Sequence, residues 1–155
     1  NETIQKTKQI VSCFNLPITN SCIEKTQHMA IITKKGVILF NKKDLDEILP
    51  YQKHVKAIEF KGALTSKMVN YMVIHKMKNF NLIIEDPTKI MIDHNQYEHL
   101  NQLGVKLFVL NQVPIIALTI NPFSPSGHHY DKSIFYQEIK KQIDIDIYNV
   151  KEMWS

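Results

Sequence analysis

Arginine is absent from this chain, and all 19 basic side chains are lysines. Arginine is the usual bidentate reader of guanine and of phosphate. Its absence argues against base-specific nucleic-acid recognition more strongly than a net charge of +4 argues for it. The lysine pairs 34-35, 42-43 and 140-141 fall in expected turns or on a polar helix face. They suit a solvated surface, and no nucleic-acid partner is expected. Glycine is also scarce: Gly36, Gly62, Gly104 and Gly127 are all there are. No GxxxxGK[ST] or GxGxxG loop can be built from them. The run from Gly62 to Lys67 only faintly echoes a phosphate loop, because it lacks the second glycine.

Cysteine occurs twice, as Cys13 and Cys22, with no CxxC spacing. That pattern excludes a zinc ribbon and a disulfide scaffold. It suits free, partly buried thiols in a reducing compartment, so a cytoplasmic location is expected. No apolar run approaches the ~18 residues that span a bilayer. The longest lies near residues 113–120 and suits a buried strand. No basic-then-apolar signal segment opens the chain, and no membrane partner is expected. The chain begins at Asn1, at what reads as a helix start, which points to a fragment of a longer protein or to processing.

What remains has an ordinary globular composition. The 155 residues are 44% hydrophobic and 22% charged, enough for one domain with a real core. Ile4, Thr7, Ile10 and Val11 predict a helix near 2–13. Thr19 or Asn20 is placed to cap a short helix running to about Gln27. Residues 29–33 and 37–40 flank Lys34-Lys35-Gly36 as a hairpin. Asp44 with Glu47 has capping-box spacing, and Pro50 stops that helix or begins another turn.

The clearest unit follows. Residues 55–60 read as a strand and Gly62 as a turn. Thr65 or Ser66 then caps a helix with Met68, Val69, Met72, Val73 and Met77 on its apolar face. Residues 80–85 form the next strand. Strand, helix, strand over about thirty residues is a parallel crossover. The methionine stripe reads as core. Asp93 with Gln96 opens another helix, and Gly104 sits where a C-terminal glycine belongs. Residues 105–110 and 114–120 predict two strands joined so tightly that only an antiparallel hairpin fits. Asp131 caps a helix bearing Phe135, Ile139 and Ile143, and 145–150 is a last strand. The expected fold is a layered α/β domain with a mainly parallel mixed sheet and at least one antiparallel hairpin. Its core would span 55–150, and 1–50 could be an added layer.

In open α/β sheets, ligands bind at the carboxyl ends of strands. Three segments leave strands there. Gly62, Ala63, Leu64 and Thr65 open a helix whose backbone N–H groups suit an anion, or they simply make a turn and a cap. Glu85 and Asp86, followed by Pro87 and Thr88, offer carboxylates for Mg²⁺. Neighbouring strand residues face opposite ways, however, and Asp before Pro is an ordinary turn opener. Asp86 and Thr88 are the better candidates. The loop 121–131 is long and stiffened by Pro122 and Pro125. Asn121, Ser124, Ser126 and Gly127 could contact a polar ligand. His128 and His129 are adjacent, a spacing that rarely serves one metal ion, so no metal is assigned. No GxSxG elbow supports a nucleophile, and no catalytic residue is assigned. One surface is expected, with the 121–131 loop beside 62–65.

Lys61-Gly-Ala-Leu-Thr65, Leu82-Ile-Ile-Glu-Asp-Pro-Thr-Lys-Ile90, Leu107-Phe-Val-Leu110, Ala117-Leu-Thr-Ile-Asn-Pro-Phe-Ser-Pro-Ser-Gly127 and Ile147-Tyr-Asn-Val150 occur in this order. Together they resemble the C-terminal part of a bacterial family that accompanies adenosylcobalamin-dependent lysine 5,6-aminomutase in lysine fermentation. Its members are described as reactivase subunits with an N-terminal P-loop NTPase region. The resemblance covers roughly 55–150. It implies a role without ATP hydrolysis, since no Walker A loop is present here. That role is an accessory domain helping an aminomutase exchange inactive cofactor, with an aminomutase or reactivase subunit as protein partner. Nucleotide and cobalamin would belong to the parent system and not to this domain. The matching positions are Gly62, Ala63, Leu64, Thr65, Asp86, Thr88, Asn121, Pro122, Ser124, Pro125 and Gly127. The expectation is therefore a non-catalytic binding domain. The alternative is a small metal-dependent hydrolase or transferase using Glu85, Asp86 and the His128/His129 loop.

Overall fold

A computed structural model describes residues 2–23, 27–41, 44–121, 127 and 131–149. The chain divides into two compact units. One is Asn15–Val113, here called the sheet unit. The other, the ribbon unit, combines Asn1–Phe14 with Pro114–Ser155.

The sheet unit is built on five strands: β1 (Met29–Thr33), β2 (Gly36–Phe40), β3 (Val55–Phe60), β5 (Asn81–Ile84) and β7 (Lys106–Val109). Their order is β2-β1-β3-β5-β7. The hairpin β1–β2 forms as expected, with Thr33 facing Gly36 across the turn. β1 pairs β3 antiparallel, so the hairpin is part of the main sheet. β3, β5 and β7 are mutually parallel. The fold is thus α/β with a mixed sheet. Beyond β7, Ile18 forms a parallel bridge to Val109, and Pro17 and Thr19 exchange backbone bonds of 3.0 and 2.9 Å with it.

Side-chain alternation decides which face is filled. Met29, Phe60 and Ile84 project to one face, as do Ile31, Ile58, Leu82 and Leu107 one rung on. Helix α2 (Ser66–Ile74) and helix α3 (His94–Gln102) cover that face. α2 brings Met68, Val69 and Met72, Met77 follows it, and α3 brings Leu100. The methionine stripe is core, as its spacing indicated. α3 begins with a full capping box: Asp93 accepts from the Gln96 backbone N–H at 2.9 Å, and Gln96 Oε1 accepts from the Asp93 N–H at 3.2 Å. Gly104 follows α3 at φ 70, a conformation that strains other residues, and a Cβ there would also push aside Asn79 Oδ1, 2.5 Å away.

Three sequence expectations give way. Residues 19–23 hold no helix. Instead Pro17 and Thr19 extend the sheet, a use the proline permits because its missing N–H is not required at an edge. Pro50 does not stop the turn it sits in. Leu45–Tyr51 is a 3-10 segment capped by Asp44, whose side chain accepts from the Asp46 N–H at 3.1 Å. Residues 105–120 do not form an antiparallel hairpin. β7 completes its ladder with β5, residues 111–117 are irregular around Pro114, and β8 (Leu118–Ile120) pairs elsewhere.

The ribbon unit pairs β8 in parallel with β9 (Ile147–Asn149). Helix α4 (Lys132–Lys140) connects them, as a parallel crossover requires. Ile120, Ile139, Ile143 and Ile147 form its buried cluster, with Val11 of helix α1 (Glu2–Phe14) packed against it. Among the described residues, no helix is long and apolar enough to cross a membrane.

Candidate functional site

The carboxyl ends of β3, β5 and β7 leave the sheet along one edge. Gly62, at φ 93, turns the chain out of β3 in a conformation side-chain-bearing residues rarely adopt. Lys61 ties that turn to the start of β1 by donating its N–H to His28 O at 3.0 Å. Leu64–Thr65 (β4) then pairs in parallel with Ile90–Met91 (β6), Leu64 against Ile90 and Thr65 against Met91. This short ribbon was not legible beforehand. It joins the first two segments singled out from the sequence, one on each of its strands.

The second segment is a tight turn organised by one carboxylate. Asp86 Oδ1 accepts from the Thr88 N–H at 2.8 Å and from its hydroxyl at 2.5 Å. Pro87 is buried between them. Glu85 is exposed, and its carbonyl accepts from the Asn111 N–H at 2.9 Å, carrying the β5–β7 ladder one step further. Asp86 thus shapes the turn. Ser66 Oγ donates to Gln96 Oε1 at 2.9 Å, tying the start of α2 to the start of α3. Thr65 occupies the N-cap of α2 without a side-chain capping bond. Met91, 65% exposed, lies in β6.

Beside this edge lies a cavity of about 340 Å³ lined by Asp44, Leu45, Asp46, Thr65, Lys67, Met68 and Tyr71. The Tyr71 hydroxyl donates to Asp46 Oδ1 at 2.7 Å. Desolvation, then that bond, then the negative charges of Asp46 and Asp44 push the phenol up to about 12. It therefore stays protonated and serves as a donor that pins the 3-10 segment to α2.

The third segment belongs to the ribbon unit. Asn121 and Gly127 are both exposed there, and Pro122, Ser124, Pro125 and Ser126 lie outside the described residues, as do His128 and His129. Where β8 and β9 end, a cavity of about 490 Å³ is bounded by Ile120 and Asn149 at the strand ends and by Lys132, Ser133, Tyr136 and Gln137 of α4. Tyr148 and Ile147 complete its lining. Two half-exposed tyrosines, a lysine and three polar side chains could receive a flat, polar ligand at the position where α/β crossovers place one. Asp131 caps α4, accepting from the Ile134 N–H at 3.0 Å.

Sequence reasoning missed Glu59. It is fully buried on the face of β3 opposite the main core. Its two oxygens accept from the Ser21 hydroxyl at 2.5 Å and from the Cys22 N–H at 2.7 Å. A buried carboxylate is costly unless such bonds satisfy it. Glu59 therefore fixes the segment through Ser21 and Cys22 across the sheet. The sole signal was a charge inside an apolar strand. The thiols also part ways: Cys13 is buried and pushed up to about 11 by desolvation, whereas Cys22 is exposed. Among the described residues, no three His, Cys, Asp or Glu side chains converge as a metal site would require.

No family model, curated protein or solved structure matches the chain.

Proposed function

We propose that this chain is a non-catalytic binding domain, an accessory part of a reactivase serving an adenosylcobalamin-dependent aminomutase. The parallel pairing of β4 with β6 is the observation on which the binding role rests, since it merges residues 62–65 with residues 86–91 into one continuous edge. The chemistry of that edge favours recognition. Asp86 Oδ1 accepts both the N–H and the hydroxyl of Thr88, and Ser66 donates to Gln96, so these polar groups order the edge. Met91 stands exposed on the ribbon, a flexible apolar side chain of the kind that packs against a protein partner. The partner class follows from the motif resemblance at Gly62, Ala63, Leu64, Thr65, Asp86 and Thr88. Nucleotide and cobalamin are handled by the parent assembly in this reading.

The test is retention of aminomutase subunits by the immobilised chain, with and without nucleotide. Wild-type chain retains them, and Met91→Asp lowers retention at least tenfold while leaving the circular dichroism spectrum unchanged. Failure to retain any subunit under every nucleotide condition contradicts the proposal.

A further inference from the structure

At the opposite end of the sheet from the strand exits, a groove of about 470 Å³ opens in the sheet unit. Its wall carries Lys53, Lys56, His75, Lys76, Lys78 and Asn79, and among the described residues no aspartate or glutamate lines it. The lysines come from two stretches of sequence about twenty residues apart, the approach to β3 and the connection from α2 to β5. No motif links them, and only the fold gathers them.

The backbone that presents them is fixed. Met77, between Lys76 and Lys78, is 2% exposed and fills the core. Its N–H donates to Met72 O at 2.9 Å, and the Asn79 N–H donates to Leu103 O at 2.9 Å. Lys76 and Asn79 hold the left-handed conformation, at φ 52 and φ 60, which non-glycine residues adopt at a cost. The His75 ring lies 4.2 Å from that of Tyr71, centroid to centroid. On the facing side, the His54 N–H donates to Tyr51 O at 2.8 Å, just before Val55 is buried at the start of β3. Burying Met77 and Val55 leaves their lysine neighbours outward on a rigid frame.

Four ammonium groups around one concavity repel one another, and among the described residues none has a carboxylate partner. An anion removes that repulsion. Lysine supplies point charges with rotatable donors, which suit phosphate oxygens. The volume lies in the range of small-ligand sites.

We infer that this groove binds a small anion bearing two or more phosphates. The probe is inorganic tripolyphosphate, titrated into the whole chain by calorimetry at low salt and again at higher salt. Binding is expected, weakening as salt rises. Lys56→Gln with Lys78→Gln should weaken it at least tenfold, since both side chains are exposed and their loss leaves the core intact. Lys34→Gln with Lys35→Gln, in the β1–β2 turn, should change it less than twofold. Three results overturn the inference: no binding at low salt, equal weakening by both double variants, or a single-stranded oligonucleotide binding at least tenfold tighter and resisting displacement by tripolyphosphate.

Discussion

The sheet unit closes five strands over seventeen buried core residues among those described, whereas the ribbon unit pairs two short strands over four. Both use the same device, a parallel crossover in which a capped helix links the strands. They differ in how much apolar surface that device removes from water. A two-stranded element gains independent stability only with help from further packing. The sheet unit already has helices on one face and an anchored segment on the other. The comparison teaches that a strand-exit site is only as firm as the sheet behind it. The sheet unit can hold a rigid recognition edge on its own resources. A cavity between β8, β9 and α4 has a much thinner support.

The largest expected effect comes from the core. Leu82→Ala removes a fully buried side chain from the interior strand β5 and should cost about 2–5 kcal/mol in urea denaturation. Ile139→Ala, also fully buried, should act differently. It should lower hydrogen-exchange protection mainly in β8, α4 and β9 while β3, β5 and β7 stay protected. Equal global destabilisation by both would break the contrast. Next comes Glu59→Gln, which keeps the shape but loses charge-assisted acceptance from Ser21 and Cys22. It should cost about 1–3 kcal/mol, read from the shift in denaturation midpoint.

A matched pair of caps sharpens the contrast further. Asp93→Ala removes the side-chain half of a reciprocal box and leaves Gln96 Oε1 on the backbone N–H of residue 93, and Asp131→Ala breaks a single bond. Each should cost about 1 kcal/mol, read from the shift in denaturation midpoint. The smallest effect concerns the thiols, one per unit. The raised value of Cys13 means the folded protein resists its deprotonation. The stability tied to that thiol is complete below its ordinary value of 9.0 and is lost as pH rises through about 11. At neutral pH, a thiol reagent should modify exposed Cys22 quickly and Cys13 only on unfolding. Cys13→Ala should remove the part of the alkaline loss that sets in above 9.0, leave the later part tied to Tyr71, and leave the fast reaction intact.

Local chemistry was legible in the sequence. The Asp93–Gln96 capping box and the glycine after α3 depend on residues within a few positions of one another, and the β3–α2–β5 crossover on patterns local to each element. Long-range pairing was not. Residues 105–120 carry two apolar runs with a short link, a pattern that fits a hairpin. The parallel ladder with β5 outcompetes it, and Pro114 spoils the second strand. The helix expected after Thr19 yields to an edge bridge with Val109 for the same reason. β4 and β6 are two residues each, too short for any periodicity to announce. The candidate edge was half visible: the strand-end rule pointed to 62–65 and to 86–88, but not to the ribbon that joins them. Glu59 and the lysine groove were invisible because their meaning lies in neighbours far away along the chain.

The central claim is that recognition belongs to the strand-exit edge of the sheet unit. Hydrogen exchange measured by mass spectrometry, with and without bound aminomutase subunits, tests it most directly. The account predicts that binding slows exchange at residues 62–65 and 86–91 and leaves 118–120 and 131–149 unchanged. Protection confined to the ribbon unit, with residues 62–65 and 86–91 unaffected, would contradict it.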